Sequence, residues 1–342
     1  WKIMTIKIAI TGFGRIGRLV LRAIYEQNRD DIKVVAVNGS SRGNIESNLH
    51  LLKFDSAHGR FNCDIHHGDD EFTINGDVIK YFATRNPSEL PWGDLDVDVV
   101  LECTGANRSK KSNQAHLDQG AKKVLISAPG EDDVDATIVY GVNHQILNKN
   151  DLIVSNASCT TNGLAPIVHV LNEAFTIESG LMNTIHSFTN DQSLLDNIHK
   201  DIRRARTATS SMVPTKTGAA SAVGLVIPNL QGKLDGVAIR VPTANVSLVD
   251  LTLHIKEKTD VNTINQLMRK ASEGDLKNIL VYSDIPLVSV DFNHTSASSY
   301  FDSLLTKVSG NGNLIKVFGW YDNEYGFSCR MLDTAVAMMK AK

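Results

Sequence analysis

Lys7-Ile8-Ala9-Ile10-Thr11-Gly12-Phe13-Gly14-Arg15-Ile16-Gly17 is the stretch on which the fold turns. An apolar run of strand length stops at Gly12, and Ile16, Leu19, Val20, Ala23 and Ile24 then recur at helical spacing. A Gly-x-Gly-x-x-Gly motif set between strand and helix allows a tight turn, lets the backbone approach a pyrophosphate and packs the helix close. A dinucleotide on Gly12, Phe13, Gly14, Arg15, Ile16 and Gly17 is the functional reading; a glycine turn without a ligand is the bland one. A second apolar run, 33–37, closes a β-α-β unit, and runs at 97–101, 123–127 and 152–154 extend it. Residues 112–120 have the pattern of a crossover helix with a glycine stop. The first half therefore predicts α/β architecture, a Rossmann-type doubly wound sheet that holds ligands beyond the carboxyl ends of its strands.

Where the second strand ends, an acidic residue about twenty positions past the glycines ordinarily binds the adenosine ribose. Here the chain reads Asn38-Gly39-Ser40-Ser41-Arg42. With no carboxylate to repel a 2′-phosphate and an arginine to attract one, NADP is expected alongside NAD; the alternative is a plain exposed loop. Asn38, Gly39, Ser40, Arg85, Thr104, Gly105 and Ser127 are the further expected cofactor contacts, several of them at strand ends. Residues 64–81, with Asn75-Gly76 near their centre, read as a hairpin inserted in this plan.

The last of these strands runs into Ser155-Asn156-Ala157-Ser158-Cys159-Thr160-Thr161-Asn162-Gly163, after which Leu164, Ile167, Val168, Leu171 and Phe175 recur at helical spacing. Cys159 is thus expected at a helix start, where unpaired N–H groups and the helix dipole favour thiolate and form a hole for an oxyanion. The alternative is a small buried hydrophobe. Beyond it the pattern changes: runs at 180–188, 236–241, 246–255, 286–292 and 314–320 read as strands of an antiparallel or mixed sheet. Helices are predicted over 261–273 and from about 328, giving an α+β second half with helices on one face. His186, near the end of one strand, is chemically suited to take a thiol proton. The polar loop 187–217 carries Arg203, Arg204 and Arg206, as anion contacts or as a solvated or subunit-contact face. Thr217-Gly218 opens a segment like an anion-binding helix start, and Arg240, on an otherwise apolar strand, calls for an anionic partner.

At 342 residues, 42% hydrophobic and 21% charged, the chain is long enough for two ordinary soluble domains. A net charge of −3 with interspersed signs argues against a nucleic-acid partner, and no apolar run is long enough to span a membrane. Four scattered cysteines show no metal-type spacing, so no metal and a reducing, cytoplasmic setting are expected. Met4 is the expected natural start, and the preceding residues are set aside.

In chain order, Gly12 to Gly17, Ser155 to Asn162, His186 to Thr189, Thr217-Gly218, Arg240 to Thr243 and Trp320 to Glu324 resemble the glyceraldehyde-3-phosphate dehydrogenases, over essentially the whole chain. The resemblance implies oxidation of glyceraldehyde 3-phosphate with NAD(P) and inorganic phosphate to 1,3-bisphosphoglycerate, through a hemithioacetal and thioester on Cys159, with His186 as base. It implies that Thr189 and Arg240 hold the substrate phosphate, and that Ser158, Thr160, Thr217 and Gly218 receive inorganic phosphate, with Arg206 among the phosphate contacts. Asn323 would bind the nicotinamide carboxamide. The polar loop would be the family's S-loop in a homotetramer. The implied domains are 4–158, completed by helix 323–342, and a catalytic domain at 159–322. Thr11, Gly39, Gly163 and Asn197-Ile198 depart from the family pattern; Gly39 and Asn197-Ile198 put strict NAD preference in doubt, and Gly163 removes a frequent second cysteine. Segments 289–294 and 308–316 resemble the sister erythrose-4-phosphate dehydrogenases, against which the intact Thr217-Gly218 stands.

Overall fold

The strand and helix around the glycines form β1 (Ile6–Thr11) and α1 (Arg15–Glu26). Ile8, Ala9 and Ile10 are all fully buried, so β1 is covered on both faces and its continuous apolar run needs no alternation. These features come from a computed structural model, which describes residues 5–39 and 43–342. The start expected at Met4 and the cofactor contact expected of Ser40 lie outside the described residues, as do Ser41 and Arg42.

The chain divides into two compact units, one of 1–140, 144–158 and 328–342, the other of 141–143 and 159–327. In the first, β1 is central. On one side it pairs in parallel with β2 (Ile32–Asn38), which pairs in parallel with β3 (Asp77–Phe82). On the other side lie β4 (Val99–Glu102), β5 (Lys123–Ile126) and β6 (Ile153–Ser155), also parallel. The order 6-5-4-1-2-3 reverses direction between β1 and β4, the topological switch point at which open α/β sheets bind ligands. The hairpin expected over 64–81 is present, but β3 lies within the sheet, and strands Glu71–Ile74 and Ile65–His67 continue it antiparallel. Helix α2 (Lys110–Asp118) is capped by Ser109 and ended at Gly120, whose φ of +96° suits glycine.

The second unit begins with α3 (Cys159–Ala174) and holds a sheet of eight strands. Its centre is β7 (Ile177–Ser187), parallel to β9 (Leu234–Val241) and antiparallel to β10 (Ser247–Ile255), so the sheet is mixed. β8 (Val213–Lys216) edges β9, while β12 (Leu314–Tyr321) pairs with β10 and with β11 (Ser299–Asp302). The α/β and mixed-sheet halves expected from the sequence are both present. Helix α4 (Val261–Glu273) matches its predicted bounds, with Asp260 accepting from Thr263 N–H at the cap. The final helix, α5 (Tyr325–Lys340), starts three residues early, because Asp322 accepts the N–H groups of Glu324 and Tyr325.

Two expectations fail. Residues 286–292 are not a strand: Ser289–Phe292 form a 3-10 turn, in which Val288 N–H donates to the Asp291 carboxylate and local bonding outcompetes a ladder. Thr217-Gly218 does not open a substantial helix. Only Val223–Val226 is helical before Pro228 stops it, so little dipole is available there.

Candidate active site

In the second unit, α3 starts at Cys159 and β7 carries His186 to its carboxyl end. Cys159 Sγ lies 3.6 Å from His186 Nε2. His186 Nδ1 lies 2.7 Å from the Ser187 carbonyl oxygen, an acceptor that favours a proton on Nδ1 and a free Nε2 lone pair for the thiol, while the Arg240 Nη1 donor, 3.0 Å from the same nitrogen, favours the other tautomer. Arg240, from β9, stands opposite His186 in the parallel register. Its Nη1 contacts the imidazole at 3.0 Å and donates to the Ser187 carbonyl at 3.1 Å and to Thr189 Oγ1 at 3.4 Å. No carboxylate pairs with Arg240 among the described residues, and its Nε is buried without a partner. A largely desolvated guanidinium without a counter-ion is costly unless an anion completes it.

Burial pushes the Cys159 thiol above its ordinary value, outweighing the opposing pull of Arg240 and of the Thr160 hydroxyl and N–H. Burial, and next Arg240, push the His186 imidazole down to about 3. Both shifts run toward the uncharged forms, so burial of the pair opposes the ionisation that the helix start favours.

Tyr321 completes the floor. Its hydroxyl bridges Thr160 Oγ1 and Thr184 Oγ1, each at 2.8 Å, and its ring meets His186 edge-on. A Cβ at Gly163 would come within 2.8 Å of that ring, so glycine at this departure from the family pattern matches the packing. The Thr160 hydroxyl, expected to receive inorganic phosphate, is thus shared between Tyr321 and the Cys159 thiol. Thr217 is half-buried and accepts from Ala219 N–H, and Gly218 is exposed. Arg206 pairs with Asp196 on the surface, 66% exposed, whereas Arg204 is 21% exposed and bonds Asp191 and Thr215. Arg204 also acts electrostatically on His186 and Arg240. The geometry therefore favours Arg204 over Arg206, a choice that the run Arg203-Arg204-Ala205-Arg206 leaves open.

In the first unit a crevice of about 650 Å³ opens at the β1/β4 switch point. Gly12, Phe13, Gly14, Asn38, Gly39, Arg85 and Thr104 line it, all expected contacts, as does Cys103 from the strand-end segment 103–105 that the sequence also marks as a candidate contact, together with Thr84 and Asn107, which sequence reasoning missed. Arg15, Ile16, Gly17, Gly105 and Ser127 are not in its lining. Gly12 has φ +88°, and a Cβ there would meet Thr104 N at 2.5 Å. The Glu102 carboxylate in turn holds the Thr104 N–H and hydroxyl. Arg15 is fixed by a bidentate bond to Asp55, at 2.5 and 3.1 Å. No carboxylate lines the crevice among the described residues. A Cβ at Gly39 would run into the Tyr81 ring, whose atoms lie at 2.8 Å. Asn323 belongs to the second unit, and Ser158 to the first.

A dinucleotide crevice in one unit and a thiol–imidazole pair in the other define a nicotinamide-dependent oxidoreductase. Residues 6–110 match the family model described as glyceraldehyde 3-phosphate dehydrogenase, NAD binding domain, and 158–323 match that family's C-terminal domain. The chain is 60% identical over 340 residues to the chromosomal glyceraldehyde-3-phosphate dehydrogenase of Cupriavidus necator, covering 99% of this chain and all of that one. It is 56% identical to the Pseudomonas aeruginosa enzyme of that name over 99% of this chain and all of that one, and 50% identical to glyceraldehyde-3-phosphate dehydrogenase 1 of Bacillus cereus over 97% of this chain and 98% of that one. The chain belongs to the glyceraldehyde 3-phosphate dehydrogenase family.

Proposed function

We propose that the chain oxidises D-glyceraldehyde 3-phosphate with NAD(P) and inorganic phosphate to 1,3-bisphosphoglycerate. One observation carries this reading: the uncompensated Arg240 guanidinium beside Cys159 and His186, which calls for an anionic substrate at the nucleophile. Thr189 and Arg240 hold the substrate phosphate. Arg204, with Thr217, Gly218 and Ser158, is the better candidate set for the attacking phosphate.

Cys159 passes its proton to His186 Nε2 as sulfur bonds to the aldehyde carbon. The new oxyanion is met by N–H groups at the start of α3 and takes the proton back from His186. His186 removes that proton again as the carbon gives up hydride, leaving a thioester on Cys159. A nicotinamide nucleotide, when bound, supplies the hydride acceptor. An anionic oxygen of inorganic phosphate then attacks the acyl carbon, the C–S bond breaks with its electron pair going to sulfur, which takes the proton back from His186, and the acyl phosphate leaves.

The crevice suits such a nucleotide through its volume, the bare backbone at Gly12 and the approach to Thr104. We take both NAD and NADP as cofactors, because Gly39 and Arg85 line a wall without a carboxylate and Tyr81 fills the space beside Gly39. We take Asn323 as the carboxamide contact, the assembly as a homotetramer and the setting as the cytoplasm. The apolar S-loop side chains support the assembly: Leu194, Leu195, Ile198, Ile202 and Met212 are 70–98% exposed on one chain. No helix among the described residues is long and apolar enough to cross a membrane.

Initial rates with glyceraldehyde 3-phosphate or erythrose 4-phosphate, each with NAD or NADP and with or without phosphate, test the reading. Phosphate-dependent turnover of the triose is expected, with KM raised about tenfold or more by Arg240→Leu. Equal turnover of the tetrose without phosphate overturns the assignment. An NADP kcat/KM under about a hundredth of that with NAD, roughly 2.7 kcal/mol, overturns dual cofactor use.

A further inference from the structure

Ser187 bonds in three directions. Its carbonyl oxygen accepts from Arg240 Nη1 at 3.1 Å and lies 2.7 Å from His186 Nδ1, its N–H donates to Ser247 Oγ at 3.1 Å, and its hydroxyl donates to Asn323 Oδ1 at 2.9 Å. Ser247 Oγ donates its own proton to the same Asn323 Oδ1, also at 2.9 Å. Both serines are buried, and neither hydroxyl has another acceptor among the described residues. Val246, β-branched and buried, is held at φ +69° immediately before Ser247. Such a conformation persists only where the surroundings impose it, and it aims Ser247 at the amide.

An amide oxygen has two lone pairs, and two hydroxyl donors fill them. The network thereby settles which end of the Asn323 amide faces the serines. Asn323 Nδ2 has no partner among the described residues and is not sealed from solvent. The amide therefore offers hydrogen atoms outward and no acceptor.

We propose that Ser187 and Ser247 are positioning residues that lock Asn323 as a donor, so that the cofactor is recognised through the carbonyl oxygen of its nicotinamide carboxamide rather than through its amino group. The proposal rests on the reading of Asn323 as the carboxamide contact. Because the Ser187 carbonyl also orients His186, one residue couples the placement of the nicotinamide anchor to that of the proton shuttle.

Equilibrium binding of three ligands tests this: NAD; 3-acetylpyridine adenine dinucleotide, which keeps the carbonyl but lacks the amino group; and ADP-ribose, which lacks the whole ring. The wild-type chain is expected to bind the acetyl analogue within about threefold of NAD. The Ser187→Ala/Ser247→Ala variant is expected to lose about tenfold for NAD and for the acetyl analogue, with ADP-ribose unchanged. The pH profile of Cys159 alkylation by iodoacetamide stays as in the wild type, because His186 is held by a backbone carbonyl that the variant keeps. If the double variant misfolds and loses ADP-ribose too, Ser187→Ala alone and the wild-type analogue comparison decide. An acetyl analogue bound tenfold or more weaker than NAD by the wild-type chain, or serine variants that keep wild-type affinity for NAD, overturn the proposal. An Asn323→Ala variant with unaltered NAD affinity overturns the underlying carboxamide reading instead.

Discussion

At the scale of single residues, the site separates two demands that one thiol cannot meet alone. Cys159 has to be stable as a neutral group in a buried place, yet ionise when substrate arrives. Burial raises its pKa and lowers that of His186, which favours the uncharged form of each, and the 3.6 Å contact between them makes the proton transfer short. His186→Asn removes the acceptor, leaving the thiol to ionise into solvent from a raised pKa. The acylation rate of that variant is expected to fall by about 10²–10⁴ at neutral pH and to climb as pH rises, with its profile displaced to higher pH; rapid mixing with aldehyde at several pH values measures it. An unshifted profile contradicts the role assigned to His186. The same scale shows what was legible beforehand. Cys159 and His186 could be named because their chemistry and local pattern are informative, whereas Tyr321 and Ser187 act through contacts with distant strands that no spacing reveals.

At the scale of elements, the turn after β1 is held from outside itself. Asp55 accepts from Arg15 and from the N–H groups of Ala57 and His58. Burial raises the Asp55 pKa, but the Arg15 hydrogen bond and the His58 N–H outweigh it and bring it down to about 2. The folded value lies below the unfolded one, so the contribution is fully present above about pH 4 and is lost as pH falls toward 2. It is worth about 2 kcal/mol near neutrality. Asp55→Asn is expected to lower Tm by a few degrees at pH 7 and to flatten the acid limb of stability between pH 4 and 2, as calorimetry across that range reads. A variant that keeps the wild-type acid limb removes Asp55 from this role. The parallel strands and α4 were legible because their periodicity is long and consistent. Residues 286–292 were not, because Val288 and Val290 alternate like a strand while facing solvent, 60% and 72% exposed. Alternation reports a half-buried surface only when a partner surface exists.

At the scale of the whole molecule, the exposed S-loop side chains are more apolar surface than a lone soluble chain ordinarily shows in one loop. Replacing Leu195 and Ile198 together by Asp is expected to shift the sedimentation coefficient from that of a tetramer toward smaller species, and to weaken cofactor binding if neighbouring copies complete each other's sites. A wild-type chain that sediments as a monomer contradicts the assembly. The division into two units was readable in the change from continuous to alternating apolar runs. The choice between Arg204 and Arg206 was not, since it depends on how the loop between β7 and β8 folds back upon Asp191 and Thr215.

The glycine at position 163 leaves Cys159 as the sole sulfhydryl in its unit. A peroxide that converts it to sulfenic acid finds no neighbour on the same helix to trap the oxidised sulfur as an internal bridge. Rescue then falls to small external thiols, which condense with the sulfenic acid and release water. Intact-mass analysis after brief peroxide exposure should show a glutathione adduct when glutathione is supplied and progression to sulfinic acid when it is withheld.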